Sequence, residues 1–538
     1  MSHTLVIAGQ VASLDWLVLG PVLAPAAGAV LVLVVDAVAP RLARLHSLIG
    51  VLALVVGAAL AFPTALGSAA SPRRSLCLPA PDGACLYEAG PVAGALQVAG
   101  LLAALVVLLL AWPAREAAGS VRDDVPSGDS PSEDPPLRGG PAVLVSLVLA
   151  ATAGAAGVAA AHDLGSWLVA LELATLPAIA LVALRATPEA GRGALALLTT
   201  SLVSFALVVL GAALWLLSTG EAVFSGAAAA TALADADRRA VLLLGLLFLL
   251  AGVGFKLSLV PFHVWTPQAY AGGTEPVATF LAATSKVAAL AALLVVLGPL
   301  ASAAGAGGPA AGGAAPVLVV VGIVAAVSMT VGNLVALVQD DPVRLLAWST
   351  IAQAGWVVLP LSVATTQAAQ ASGSYLLAYV VATLVAFVVV HLVARTPGGT
   401  APSRGRTLAA YTGLLRSRPV LGGALGLALL SLAGLPPGVL GLVAKVVALR
   451  PVVGDEQWLL ALVAVANAVL GIAVYLRWFA VLLRDPVPAT GATDDGDESL
   501  AELVDGPVPR PALAALLLSG AVLVAASVLP QLVLGLLG

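Results

Sequence analysis

The chain has 538 residues, of which 60% are apolar and only 10% charged, and its mean hydropathy is +1.07. Soluble domains carry about 25% charged residues, so this chain could not cover a water-facing surface and belongs in a membrane. A net charge of −4 without any basic run excludes a nucleic-acid footprint. Two cysteines and five histidines are too few for iron–sulfur clusters or a multi-ligand zinc site, so no metal is expected.

A hydrocarbon layer of about 30 Å takes roughly 20 apolar residues per helix. Fourteen stretches qualify, at approximately 16–35, 46–67, 93–112, 141–161, 164–184, 194–217, 240–260, 276–297, 315–337, 343–365, 372–394, 419–449, 457–483 and 511–536. They lack the in/out alternation of barrel strands, and lipid offers no partner to open backbone, so the expected fold class is an all-α polytopic membrane bundle. The first stretch has no Lys or Arg before Arg41 and outruns a signal peptide, so it reads as a retained span. Fifteen arginines fall in connections after odd-numbered spans and five after even-numbered ones. By the positive-inside rule, the odd connections are cytoplasmic and both termini face outward.

Between spans, residues 113–140 carry Asp123, Asp124, Asp129, Glu133 and Asp134 among Ser and Pro, and read as a solvated, poorly ordered linker. The acidic stretch 484–510, with Asp494, Asp495, Asp497 and Glu498, reads the same way. Gly305, Gly307, Gly308, Gly312 and Gly313 follow no strand, and are expected to make a flexible turn rather than a nucleotide loop. Cys77 and Cys85 lie after the second span, on the side the charges place outside. A disulfide is allowed there, although spacing alone does not fix its geometry.

Only three lysines occur, Lys256, Lys286 and Lys445, against twenty-one arginines, and all three lie inside apolar spans. Arg stays protonated in any surroundings, whereas a desolvated Lys can lose its proton near neutral pH. The choice of Lys at these positions therefore points to titration. Glu172, in the middle of the fifth span within LVALELATLP, is the matching acid. A static pair that merely fixes packing would account for one lysine and leave two without a carboxylate. A chain of titratable groups accounts for all of them as a proton path.

Broken helices fit such a path. In the seventh span Lys256 precedes Pro261, and in the twelfth Gly434, Pro436, Pro437 and Gly438 precede Lys445. Proline frees a carbonyl that protein or water must satisfy at membrane depth, so each break marks an expected hydrated cavity. Five spans separate the breaks, the pattern of two inverted five-helix repeats. The expected organisation is a three-helix segment over 1–112, repeats over 141–297 and 315–483, and a C-terminal helix over 511–538. His263, just past the first break, either relays protons or caps carbonyls there. His391 reads as an interfacial residue, His3, His46 and His162 lie at span ends or in loops, and Arg477 is assigned no transport role. Trp167, Trp265, Trp348, Trp356 and Trp478 read as packing or interface anchors.

The run FKLSLVPFHVWTPQAYAGGTEPVATFLAATSKVAAL, with GNLVALVQDDPVRLLAWSTIAQAGW, LAGLPPGVLGLVAK and DLGSWLVALELATLP, resembles subunit N of proton-pumping NADH–quinone oxidoreductase, bacterial respiratory complex I, in the antiporter-like membrane family. Subunits L and M and the sodium/proton antiporters typically carry KVG or KMG after the eighth-helix lysine. Here Val-Ala-Ala follows Lys286, which looks more like subunit N. The resemblance implies that Glu172 pairs with Lys256, that Lys286 is the central lysine and that Lys445 faces a partner subunit. It also implies proton translocation driven from outside the chain, in a multi-pass protein of the bacterial cell membrane. No cofactor is expected in this chain; NAD, FMN, iron–sulfur clusters and quinone are implied for partner subunits, including neighbouring antiporter-like ones. A subunit of a multisubunit sodium/proton antiporter is the rival. Three departures stand out: Arg192, Gly193 and Ala194 replace a helix-6 lysine, Gln268 stands for an Asp, and Gln353 for a His.

Overall fold

A chain this apolar can satisfy its backbone in lipid only within helices. In the computed structural model, which describes residues 2–7, 10–78, 85–113, 139–305, 313–395, 406–485 and 509–535, helices dominate. The two acidic stretches and the glycine turn fall, for residues 114–138, 486–508 and 306–312, outside the described residues.

The first four spans are α1 (Trp16–Val38), α2 (Ala43–Ala65), α3 (Pro91–Leu110) and α4 (Gly140–Val158). The fifth is divided into α5 (Leu164–Leu173) and α6 (Leu176–Ala183), and the sixth is α7 (Pro188–Thr219). A short α8 (Gly226–Ala234) leads into the seventh span, α9 (Ala236–Leu257), which turns into α10 (Trp265–Gly272). The eighth is divided into α11 (Glu275–Ala282) and α12 (Thr284–Gly305). The ninth to eleventh are α13 (Ala315–Ala336), α14 (Pro342–Val358) with a 3₁₀ turn Leu359–Ser362, and α15 (Thr366–Ala394). After α16 (Leu414–Ser417) the twelfth span is two halves, α17 (Pro419–Ala433) and α18 (Val439–Gly454). The chain continues through α19 (Trp458–Leu483), α20 (Arg510–Val528) and α21 (Gln531–Leu534).

Thirteen spans among the described residues are long and apolar enough to cross a membrane, and the divided twelfth is the fourteenth of the expected set. The breaks in spans seven and twelve fall where expected. Those in spans five and eight were not foreseen. Because five spans is an odd number, the two proline-marked breaks occur in helices of opposite direction.

Successive crossings sort the connections onto two faces. On the even side, four strands form an antiparallel sheet that the apolar pattern did not suggest: β1 (Ser2–Ile7), β2 (Gln10–Asp15), β3 (Arg73–Cys77) and β4 (Cys85–Ala89). Cys77 is bonded to Cys85 between β3 and β4. The His162 amide donates to the Leu86 carbonyl (3.0 Å) and the Phe224 amide to that of His162 (3.0 Å), which stitches the connections after spans two, four and six together. On the odd side the Leu408 amide donates to Asp340 (2.8 Å), and Arg477 reaches Asp340 (3.4 Å) and the Gln339 carbonyl, so it anchors a loop at the bundle edge.

The eighth, tenth and eleventh spans are buried along nearly their whole length, whereas the first, sixth and thirteenth expose apolar faces suited to lipid. His391, near the end of the eleventh, is fully buried, which corrects its reading as an interfacial residue: the helix bearing it is a central post of the bundle. Of the tryptophans read as packing or interface anchors, Trp167, Trp265, Trp356 and Trp478 are core residues.

Close backbone approach fixes some glycines. A Cβ on Gly441, at the start of α18, would lie 1.7 Å from the Ser431 carbonyl oxygen of α17, so the two half-helices fold against each other only with glycine there. Overpacking of this kind costs about 1–3 kcal/mol or more. Gly441→Ala is expected to lower the detergent unfolding midpoint and the yield of the chain relative to Gly454→Ala, whose Cβ would meet no atom within 4 Å.

Candidate proton-transfer site

Every helix end leaves carbonyls without intrahelical partners. The three lysines converge on such carbonyls, and all three are at most 6% exposed.

At the seventh-span break the chain leaves α9 at Ser258, in the left-handed region at φ +68°, and passes through a cis Val260–Pro261 bond. The Leu259 amide bonds the Gly254 carbonyl (2.9 Å), and the Ser258 amide and Trp265 Nε1 donate to that of Phe255 (2.9 and 3.0 Å). Lys286 Nζ, from α12, donates to the next carbonyl, that of Lys256 (2.9 Å), and to Ser258 Oγ (2.5 Å), which also accepts from Thr266 Oγ1 (2.6 Å). The ammonium lies 4.8 Å from the Trp265 ring centroid, within cation–π range. Trp265 thus serves the same lysine twice, once through its ring and once by closing the carbonyl beside it.

Lys256 itself points the other way, to the fifth-span break. Its Nζ donates to the Leu171 carbonyl (3.2 Å) and to Thr175 Oγ1. Thr175 Oγ1 in turn donates to the Leu171 carbonyl (2.7 Å), and α6 begins at Leu176-Pro177. Glu172, half-buried on the same turn, attracts Lys256 through space while the ammonium's hydrogen bonds go to Leu171 and Thr175.

At the twelfth-span break α17 ends at Gly434, with φ +79°, followed by the cis Pro436–Pro437 bond and Gly438. The Gly434 and Leu435 amides close the Leu430 carbonyl (both 2.9 Å). Lys445 Nζ takes the two that follow, Leu432 (3.1 Å) and Ala433 (2.5 Å), and lies 5.8 Å from the Trp356 ring centroid. Pro261, Pro436 and Pro437 therefore lie in the connections between half-helices rather than within them.

Between Lys286 and Lys445 lie two buried hydrogen-bonded groups. Tyr379 Oη donates to the Ala282 carbonyl at the eighth-span break (3.1 Å) and bonds Thr350 Oγ1 (2.9 Å). One turn along α15, Tyr375 Oη donates to Gln353 Oε1 (2.5 Å), Gln353 Nε2 donates to Tyr475 Oη (2.8 Å), and Tyr475 bonds Ser349 (2.6 Å). A cavity of about 10 Å³, near the size of one water, is lined by Gln353, Tyr375, Tyr379, Ser431 and Leu432. The sequence reading missed these tyrosines, because a Tyr in an apolar span carries no charge signal. His263 lies tilted against Trp348 (centroids 5.4 Å apart), while the Phe255 and Lys256 carbonyls at the break accept from Ser258, Trp265 and Lys286.

A lysine charge at mid-bilayer costs about 2.5–3.5 kcal/mol, and each hydrogen bond from a charged group returns about 1.5–3 kcal/mol. Two such bonds per lysine bring the charged form to rough balance. An ammonium has three donors, so each lysine keeps one for a further partner.

Residues 161–471 match the family model described as NADH:quinone oxidoreductase/Mrp antiporter, TM. The chain is 33% identical to NADH-quinone oxidoreductase subunit N 2 of Streptomyces griseus, over 97% of this chain and 93% of that one. A chain of Thermus thermophilus respiratory complex I superposes with a TM-score of 0.70 at 29% identity, covering 96% of this chain and 98% of that one. A chain of the Dietzia sp. Mrp complex, at 21% identity and TM-score 0.75 over 97% of this chain and 96% of that one, shares the fold. The chain belongs to the subunit N family of NADH-quinone oxidoreductases, within the antiporter-like membrane proteins.

Proposed function

We propose that the chain translocates protons across a bacterial cell membrane as subunit N of respiratory complex I, by a glutamate and lysine relay, while partner subunits carry electrons from NADH through FMN and iron–sulfur clusters to quinone. The observation that carries this reading is the placement of all three lysines on carbonyls released at helix breaks. In this reading the repeat over 141–297 holds Glu172, Lys256 and Lys286, the repeat over 315–483 holds Lys445 toward a neighbouring subunit, and both termini face outward.

With Glu172 ionised nearby, Lys256 holds its proton by attraction. Lys256 and Lys286 repel each other when both are charged. Withdrawal or protonation of Glu172 removes the attraction. The Lys256 proton then moves toward Lys286, and onward past Tyr379, Thr350, Gln353 and Tyr375 to Lys445. An Mrp-type sodium/proton antiporter subunit is favoured by the fold likeness alone; co-purification with flavin and iron–sulfur proteins separates the two.

Lys256→Met and Glu172→Gln in the assembled complex are expected to lower protons translocated per quinone reduced about tenfold or more. Unchanged assembly together with unchanged pumping would overturn the relay. Lys445→Arg keeps a donor for the Leu432 and Ala433 carbonyls but cannot release a proton. It should assemble and fail to pump, and an Arg variant that pumps at the native rate would mean that Lys445 is only a helix cap.

A further inference from the structure

A second titratable pair lies away from the lysines, on the odd-connection face. Glu275 opens α11 and His391 sits in the last turn of α15, with His391 Nδ1 3.8 Å from Glu275 Oε2. His391 is fully buried, with its ring between Glu275 and the Leu110 carbonyl of α3. A pair serving only to lock α11 to α15 would be expected at hydrogen-bond distance, whereas 3.8 Å is an ion-pair spacing that a small ring movement closes.

From this pair a polar line leads inward. On the eighth span Glu275 and Thr279 share a face of α11, where Thr279 Oγ1 donates to the Glu275 carbonyl (2.7 Å), and Lys286 follows beyond the break after Ala282. Facing them on α15, at spacings of four, are His391, Phe387, Thr383 and Tyr379, whose hydroxyl reaches the Ala282 carbonyl. Opposite the one apolar member, Phe387, lies the buried Tyr270 (centroids 6.2 Å apart), whose hydroxyl faces Thr350. Among the described residues, Arg185 acts on Glu275, Arg395 and the Leu110 carbonyl of α3 act on His391, and Tyr411 stands in the fields of Glu275 and Asp341.

We infer that Glu275 and His391 form a proton-collecting station at the odd-connection mouth of a route to Lys286, an inference that rests on the relay proposed above. A proton leaves His391 Nδ1 for Glu275 Oε2, giving neutral imidazole and a carboxylic acid. The acid then gives its proton, past Thr279, to a neutral Lys286 amine, so that the carboxylate re-forms, an ammonium results and His391 takes up the next proton from the odd-connection side.

The test uses the whole complex in liposomes, with proton translocation per quinone reduced measured across pH. A collecting site matters most when protons are scarce, so Glu275→Gln and His391→Gln are expected to lower translocation about fivefold near pH 8 and by less than about twofold near pH 6, with Glu275→Asp restoring it. An equal loss at every pH, or no loss, overturns the station. Should Glu275→Gln fail to assemble, His391→Gln decides by the same criterion. Lys286→Met, run alongside, separates the two readings. If it stops translocation while the other variants do not alter it, only the station falls; if it too pumps normally, the relay has failed with it.

Discussion

Carbonyl oxygens at the ends of interrupted helices dominate the interior of this protein. In lipid no water can take them, and each one left unsatisfied costs several kcal/mol. The chain answers with ammonium groups: Lys256 on the fifth-span break, Lys286 on the seventh and Lys445 on the twelfth. The arrangement satisfies both sides, because the C-terminal end of a helix carries partial negative charge that favours a cation. Removing a proton from any of these lysines therefore weakens the closure of a helix end. Proton movement and backbone closure are coupled through the same atoms.

The two halves use this coupling differently. Lys445 closes the break of its own span, reaching back from α18 to the end of α17. Lys286 closes a break in a different span, and the carbonyl it takes belongs to Lys256. A shift of α9 that moved Lys256 relative to Glu172 would thus also move the acceptor of Lys286. No comparable linkage joins Lys445 to the others directly; between them lie the tyrosines and Gln353 of the buried tenth and eleventh spans. The first pair is mechanically linked, whereas Lys445 and the tyrosines are neighbours across the small cavity that Gln353, Tyr375 and Leu432 line.

The spans, the breaks after Lys256 and before Lys445, and the three lysines were legible because apolar length, proline and charge are local signals. Pro177 and Pro276 carried a further signal that the reading passed over: each opens a half-helix, α6 or α11, and so marks where a broken span resumes. The partners of the lysines were not legible. Trp265 and Ser258 gain their roles from a turn conformation, and Tyr379 and Gln353 from helices that meet only in the folded bundle. His391 and Glu275 lie 116 positions apart, and nothing in the local composition around either points to the other. The sheet was hidden for the opposite reason. Its strands are short, lie outside the apolar runs, and pair a terminal segment with a distant loop.

The departures at the start of span six and at position 268 reduce to a single packing event. A Cβ on Gly193 would lie 2.6 Å from the Gln268 carbonyl oxygen, and one on Gly272 would lie 2.6 Å from that of Glu189, so α7 and α10 meet backbone to backbone. No lysine side chain fits at 193 against that contact, and Arg192, on the outer side, is engaged with Glu189 (2.8 Å) at the surface. The Gln268 side chain itself points away from this contact and is exposed. Glu275 and His391 meet elsewhere on this side, where α11 and α15 face each other through side chains (3.8 Å). Where helices touch through glycine there is rigidity and no room for a proton carrier, and where they stand apart there is space that only buried polar groups can occupy without water.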